Sequence, residues 1–454
     1  MRGLARLFAD DRDPLVANLL ICLAFFLLGL NRLYLPKILY FDETWYVNAA
    51  LKLLAWKEVI NREHPMLAKE MIAVSMILFG KSFGGIRLGS LILGTIGLFA
   101  FQRAHFKLTA SARSTMIFGV LVAFNFLYFA TSRMAILDPY MLGFAGIGSA
   151  FFVNGVMHDR RRLICFALAG FAMGCAMAAK WTAAPLYGFM GLATIVRFWR
   201  DPRLAIKLLV AFGGISVATY FLTFLPIFFI DKNPLPIAEI LPLQRMMTFS
   251  LGLYIGGHPY ASHWWDWPIG RGQMWIYNGF FTGKDMMIVL GQNPVATLIS
   301  LPAVAISLFL LPAKRDWRLG APALLYLFTF AFWIASGKPV QFLYHYNLSS
   351  IVALSVAAQL AAKIPPRIGR IAIPSLLTVY LAAFAFFYPV ITAASIGTKQ
   401  ERYTSLPGWE VHPPKVGDRR PVGNGWELML WSQDCLVHPA EQKCARARKN
   451  TVQP

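Results

Sequence analysis

Charge is what this sequence has least of. Only 14% of its 454 residues are charged and 57% are hydrophobic, whereas a soluble globular domain carries about 25% charged residues and is about half apolar. The shortage excludes a soluble globular protein, and the chain reads as an all-α polytopic membrane protein. Acidic residues are scarcest, 22 against 43 lysines and arginines. The resulting excess of 21 positive charges lies in short clusters between apolar runs and not on one accessible face, which excludes nucleic acid as a partner and fits charges that set membrane orientation. Cysteine is sparse as well: Cys22, Cys165 and Cys175 fall in apolar runs as packing residues, and Cys435 and Cys444 stand in a polar C-terminal tail, where they can pair if the tail lies outside the cytoplasm. A Walker loop and a strand-bound GxGxxG are both missing, so no nucleotide site is expected. Neither an internal repeat nor a Pro- or Ser-rich linker divides the membrane region.

What is present is a series of apolar runs. About eleven are long enough to cross a hydrocarbon core, at 15–35, 84–102, 114–132, 139–157, 163–180, 182–197, 207–230, 286–312, 319–337, 341–361 and 370–390. The charged start, MRGLARLFADDRDP, has no small-residue cleavage site after it, so the first run is expected to remain as a span. Basic segments at 103–113, 158–162, 197–207, 314–318 and 363–370 alternate with these spans and are placed in the cytoplasm. The stretch from His64 to Gly80 carries Lys69 and Glu70 and is too short to cross. Residues 36–83 are therefore expected to form one outer loop with interfacial helices. Odd parity then puts the tail outside.

On this topology the unusual polar residues gather at one end of the bundle. Asp42, Glu43, Glu63, His64 and Lys69 lie in the first outer loop, Arg87 opens the second span, and Arg133 and Asp138 flank a short outer turn. Lys180 sits in another turn, His258, His263, Trp264, Trp265, Asp266 and Trp267 in a large loop, and Tyr344 and His345 at the mouth of a later span. Polar groups at membrane depth are costly and mark function. Lys69, Arg87, Arg133 and Lys180 can bind a phosphate, Asp42 can take a proton from an attacking hydroxyl beside Glu43, and Trp45, Tyr46 and the loop tryptophans can stack on a sugar. Plainer readings stand beside these: interfacial anchoring for the tryptophans, an Arg133–Asp138 ion pair closing its turn, a snorkelling Lys69, and a helix start at Asp42-Glu43.

The order of short motifs resembles that of the protein O-mannosyltransferases. They are Phe41-Asp42-Glu43, Glu63-His64-Pro65 with Leu67-Ala68-Lys69, Ser132-Arg133 with Leu137-Asp138, and Ala179-Lys180-Trp181-Thr182. Later come His258-Pro259-Tyr260, Trp264-Trp265-Asp266-Trp267-Pro268, Leu290-Gly291-Gln292-Asn293-Pro294 and Phe342-Leu343-Tyr344-His345-Tyr346. The likeness covers about residues 38–360 and implies a GT-C glycosyltransferase fold, with residues 1–230 as a catalytic membrane region, 231–390 as a second membrane region and 391–454 as an extracytoplasmic tail. It implies an inverting enzyme that moves mannose from a polyprenyl-phosphate-mannose lipid donor to Ser or Thr of exported proteins at the outer face of a bacterial inner membrane. Asp42 matches the family's base and Glu43 its partner, while His64, Arg87 and Arg133 match polar positions near the lipid phosphate. The soluble sugar-binding-like insert of eukaryotic members is missing, because 231–285 is too short to hold it. Enzymes that place aminoarabinose on lipid A share the early acidic motif. Through them a divalent metal at Asp42, Glu63 and Asp138 stays open, as does a lipid or glycan acceptor. A transporter of lipid-linked sugars is the rival of another class, but it expects repeats and midplane binding groups.

Overall fold

The computed structural model describes residues 12–250, 260–278, 286–314, 316–396 and 401–404. His258 and the tail with Cys435 and Cys444 lie outside these described residues. The chain is mostly helical. Its helices are α1 Leu15–Leu30, α2 Glu43–Leu54, α3 Leu67–Phe79, α4 Phe83–Thr109, α5 Ala112–Ala123, α6 Phe126–Thr131, α7 Leu137–Met157 and α8 Arg162–Ala179. There follow α9 Ala184–Arg197, α10 Pro202–Leu222, α11 Ile240–Ser250, α12 Pro294–Lys314, α13 Trp317–Ala335, α14 Asn347–Ala362, α15 Pro366–Ile391 and α16 Glu401–Thr404. Strands β1 Met274–Asn278 and β2 Met287–Leu290 pair antiparallel, with an irregular register between Trp275 and Tyr277.

Seven of these helices, α4, α7, α8, α10, α12, α13 and α15, are long and apolar enough to cross a membrane by length and composition. The expected runs are mostly helical, but their lengths differ. The run at 114–132 divides into α5 and α6 because the Asn125 carboxamide accepts from the Leu127 N–H at 3.0 Å and starts a new helix. The run at 286–312 begins as β2, and only from Pro294 is it helical. The run at 341–361 begins as a turn at Leu343–Tyr346 before α14. In the first outer loop, α2 and α3 form as expected, and neither is long enough to span.

Local chemistry explains where the long helices start. Ser82 accepts from the Gly85 N–H at 3.1 Å ahead of α4, and Asp201 accepts from Leu204 at 3.0 Å with Pro202 behind it at the start of α10. Helices α4 and α7 cross where backbones touch: a Cβ on Gly146 would meet the Gly97 carbonyl oxygen at 2.7 Å. Such small-residue crossings let membrane helices approach closely, and this one brings the N-terminal ends of α4 and α7, with Arg87 and Asp138, to the same end of the bundle. Ser75 of α3 joins them, donating to Gly85 O at 2.6 Å and accepting from Gly89 N at 2.9 Å.

Candidate active site

Glu43 and Arg87 form the frame of this end. The Arg87 guanidinium meets both Glu43 carboxylate oxygens at 2.8 Å and donates to the carbonyls of Leu33, Pro36 and Ile38 at 2.9–3.2 Å, so all five of its donors are engaged. Both side chains are fully buried, and Tyr40 and Phe83 cover the guanidinium. Glu43 Oε1 also accepts from the Ala135 N–H at 2.9 Å, which ties the turn before α7 to α2. Two expectations are corrected here. Arg87 has no donor left for a lipid phosphate, and Glu43 is a scaffold residue turned away from any acceptor. Removing one partner of such a buried pair leaves the other charge uncompensated. Arg87→Met is expected to destabilise the protein by about 3–5 kcal/mol, read as a lowered Tm in detergent and reduced yield; an unchanged Tm would contradict the framing role.

Asp42 behaves differently from its neighbour. It is the N-cap of α2, yet its carboxylate caps no N–H and makes no side-chain hydrogen bond among the described residues. Phe41, at φ 51°, turns the chain in the left-handed region, a conformation that costs a bulky L-residue on the order of 1–2 kcal/mol. Thr44 Oγ1 holds that turn by donating to Phe41 O at 2.8 Å, and the Phe41 ring meets Tyr344 edge-on at 5.8 Å. The turn separates the two acidic side chains, sending Glu43 inward and leaving Asp42 facing Asp138, Lys180 and Lys338. Burial pushes the Asp42 carboxyl up to about 6, opposed by Lys180 and seconded by Asp138.

Asp138 and Lys180 pair with each other. The Lys180 Nζ lies 2.8 Å from both Asp138 oxygens and 4.5 Å from the Tyr344 ring centroid. Asp138 is in the first turn of α7 and Lys180 is the C-cap of α8, so each charge sits at the helix end whose dipole favours it. The ion pair expected between Arg133 and Asp138 is therefore not formed. Arg133 instead donates to the carbonyls of Asn31 and Leu28 at 2.8 and 3.4 Å and lies over Phe129. Lys69 is fully buried and donates to Asn61 O and His64 O at 2.6 and 2.9 Å, which makes it a loop clamp and neither a phosphate ligand nor a snorkelling lysine.

The opposite wall comes from the turn before α14. His345 stacks on Trp333 at 4.3 Å, and its Nδ1 accepts from the Phe342 N–H at 3.1 Å. Neutral imidazole with Nδ1 accepting carries its hydrogen on Nε2, and burial with Lys338 nearby holds its pKa well below the ordinary imidazole value. That Nε2 is 3.5 Å from Lys338 Nζ. Two donors thus face each other with no protein acceptor between them among the described residues, an arrangement that suits an anion. Lys338 is half-buried and makes no ion pair among the described residues; burial and Lys180 bring it down to about 8. Sequence reasoning passed over it. Its signal was a single lysine in the short Ser336-Gly337-Lys338-Pro339 turn.

His64 is half-buried beside Tyr46 at 5.8 Å, and burial with Lys69 holds it neutral. Trp264 packs on Phe330 and lines, with His263, Trp265 and Lys338, a cavity of about 300 Å³. Trp267 is fully buried and donates to Ser262 Oγ at 2.9 Å, so it supports the loop and is closed to a ligand. Gln292, from the Leu290–Pro294 motif, donates to Trp267 O at 2.6 Å and is a packing residue of the same kind. The trio Asp42, Glu63 and Asp138 is not a metal set: Glu63 is exposed and accepts from Asn61, Asp138 is held by Lys180, and no three metal-binding side chains converge among the described residues.

Residues 18–231 match the family described as dolichyl-phosphate-mannose-protein mannosyltransferase. The chain is 24% identical to a polyprenol-phosphate-mannose–protein mannosyltransferase of Mycolicibacterium smegmatis over 451 residues, covering 81% of this chain and 87% of the relative. A Mycobacterium tuberculosis protein of the same name is 22% identical over 453 residues, covering 81% and 86%. Among solved structures, the fold is similar to the S. cerevisiae protein O-mannosyltransferase Pmt1-Pmt2 complex bound to the sugar donor, with a TM-score of 0.78 at 12% identity over 90% of this chain and 94% of that one. It is also similar to ArnT from Cupriavidus metallidurans bound to undecaprenyl phosphate, with a TM-score of 0.57 at 16% identity over 93% and 69%. Residues 18–231 thus match the protein mannosyltransferase family, and the chain has the fold of the membrane-embedded GT-C glycosyltransferases.

Proposed function

We propose that the chain transfers mannose, with inversion, from a polyprenyl-phosphate-mannose donor to Ser or Thr hydroxyls of exported proteins, with Asp42 as general base. The observation that carries this reading is the division of labour in the acidic pair. Glu43 is fully engaged with Arg87 and Ala135, while Asp42 is uncommitted and faces the charged cluster. The names of the mycobacterial relatives support the donor and the protein acceptor.

The donor phosphate sits between Lys338 Nζ and His345 Nε2–H, where the two unshared donors are. Tyr46, His64 and Tyr344 form the walls beside Asp42 and hold the sugar. The acceptor hydroxyl gives its proton to the Asp42 carboxylate as its oxygen bonds to the sugar's anomeric carbon. The bond from that carbon to the phosphate oxygen breaks, and its electron pair leaves on the lipid phosphate, whose charge Lys338 meets. Lys180 keeps Asp138 neutralised, so that Asp42 ionises without a second bare carboxylate beside it. The ~300 Å³ cavity that shares Lys338 is room for the acceptor segment, with Trp264 as a wall. We place this end outside the cytoplasm of a bacterial inner membrane, because Arg160, Arg161, Arg162, Arg197, Arg200 and Arg203 cluster at the other end.

Two groups of this site titrate near neutrality. Asp42 works only ionised, so kcat/KM falls as pH drops through about 6. Lys338 works only charged, so it falls again as pH rises through about 8. Rates with labelled polyprenyl-phosphate-mannose and a Ser/Thr peptide across this range test the reading, and a profile flat between pH 5 and 9 (about two units beyond neutral on each side) would contradict it. Offering a lipid and a glycan acceptor in parallel distinguishes the acceptor class.

A further inference from the structure

A second cavity among the described residues lies far from this site. About 890 Å³ in volume, it opens between α4, α7, α9, α13 and α14 at the other end of the bundle, and that size is within the roughly 300–1,000 Å³ of ordinary ligand pockets. Helix α7 spans the separation. Asp138 begins it beside Asp42, Met157 ends it in the cavity wall, and at about 1.5 Å rise per residue the two are about 28 Å apart.

Its lining decides what it can hold. Phe152, Leu186, Leu325 and Val352 make the wall apolar. The one imidazole there, His105, has both nitrogens engaged, with Ser355 Oγ at 2.9 Å and Ser114 Oγ at 2.8 Å, so it offers nothing to a sugar or a peptide. The mouth is of another character. Trp199 and Trp317 line it, both exposed, as membrane-interface tryptophans are. Arg197 and Arg200 line it too, Arg197 lying over the Phe198 ring and Arg200 over Trp199, each at 5.3 Å, and neither has a carboxylate in ion-pair distance among the described residues. The one acidic residue at the mouth, Asp201, accepts from Leu204 N–H as a helix cap.

We propose that this cavity is a structural lipid site, which takes one acyl chain of an anionic glycerophospholipid while Arg197 and Arg200 hold its phosphate-bearing head. A dry interior fits hydrocarbon, and two unpaired arginines steadied on aromatic rings fit an anion at the membrane surface. The sugar donor is a poor occupant, because its phosphate belongs to the Lys338 end. The site is independent of the transfer chemistry, and none of its residues touches Asp42, Lys180 or Lys338.

The test titrates delipidated enzyme in detergent with phosphatidylglycerol and phosphatidylcholine of identical chains and counts bound lipid by native mass spectrometry. One phosphatidylglycerol is expected to be retained about thirtyfold more tightly than phosphatidylcholine, the effect of two cations near one anion. Arg197→Gln with Arg200→Gln is expected to erase that preference. Ala321→Phe, which fills the cavity from α13, is expected to abolish retention of either lipid. Equal retention of both lipids by the wild type, a preference that survives the double substitution, or displacement of phosphatidylglycerol by polyprenyl phosphate would each overturn the proposal. The paired glutamines lie at the exposed mouth, so that arm stands even where Ala321→Phe fails to fold.

Discussion

Asp42→Asn lowers kcat for sugar transfer by about 10²–10⁴-fold, the contribution of a positioned general base, with little change in KM for the donor. The expected split follows from the geometry. The Asp42 carboxylate makes no side-chain hydrogen bond in the resting protein, so nothing in the fold depends on its charge. The amide is isosteric, and burial already disfavours the ionised form, as the rise to about 6 records. Asp42→Asn is therefore expected to match or exceed the wild type in thermal stability while losing turnover. The contrast with Glu43→Gln is informative. That change removes a charge matched to Arg87 and weakens the bond from Ala135 N–H, so it is expected to lower Tm and yield. Activity that survives in Asp42→Asn, measured with purified enzyme and labelled donor, would remove Asp42 from the base role.

Lys338→Gln carries the second large effect. A preorganised cation on a leaving phosphate is worth about 10²–10³-fold in kcat when removed. Lys338 is placed for this because its ammonium faces His345 Nε2–H at 3.5 Å and makes no ion pair among the described residues. Lys180, Arg87, Arg133 and Lys69 cannot substitute, since each is already held by a carboxylate or by carbonyls. Two readouts separate a catalytic from a structural role. The alkaline limb of the pH profile near 8 disappears in Lys338→Gln, and Lys338→Arg restores part of the rate while moving that limb upward. An alkaline limb unchanged in Lys338→Gln would assign it to another group.

Membrane class, helical fold and the crowding of polar residues at one end were all legible in the sequence, because each rests on hydropathy and charge patterning. What could not be read was partner choice. Four cations, Lys69, Arg87, Arg133 and Lys180, looked equally suited to a phosphate. Which of them faced carbonyls depended on turns such as Leu33 to Ile38, whose backbone leaves the helical path and presents oxygens to Arg87. Adjacent acidic residues looked like a pair, whereas the positive φ at Phe41 and the first turn of α2 part them. Asp138 looked bound to Arg133 by nearness in sequence. Its partner Lys180 comes from the far end of α8, 42 residues on, brought there by antiparallel packing of α7 and α8. Lys338 was missed because an isolated lysine in a short turn has no pattern. The span at 286–312 was overextended because β2, Met-Ile-Val-Leu, is as apolar as a helix of the same length.

The most direct test of the central claim is the anomeric configuration of the product. Purified enzyme is given a polyprenyl-phosphate-mannose of defined configuration and a Ser/Thr peptide, and the new glycosidic bond is read by NMR before any isomerisation. A single base that activates the acceptor for direct displacement predicts mannose on the hydroxyl oxygen with configuration opposite to that in the donor. Mannose delivered with the donor's own configuration would require a covalent sugar–enzyme intermediate, and would contradict Asp42 as the base of a one-step transfer.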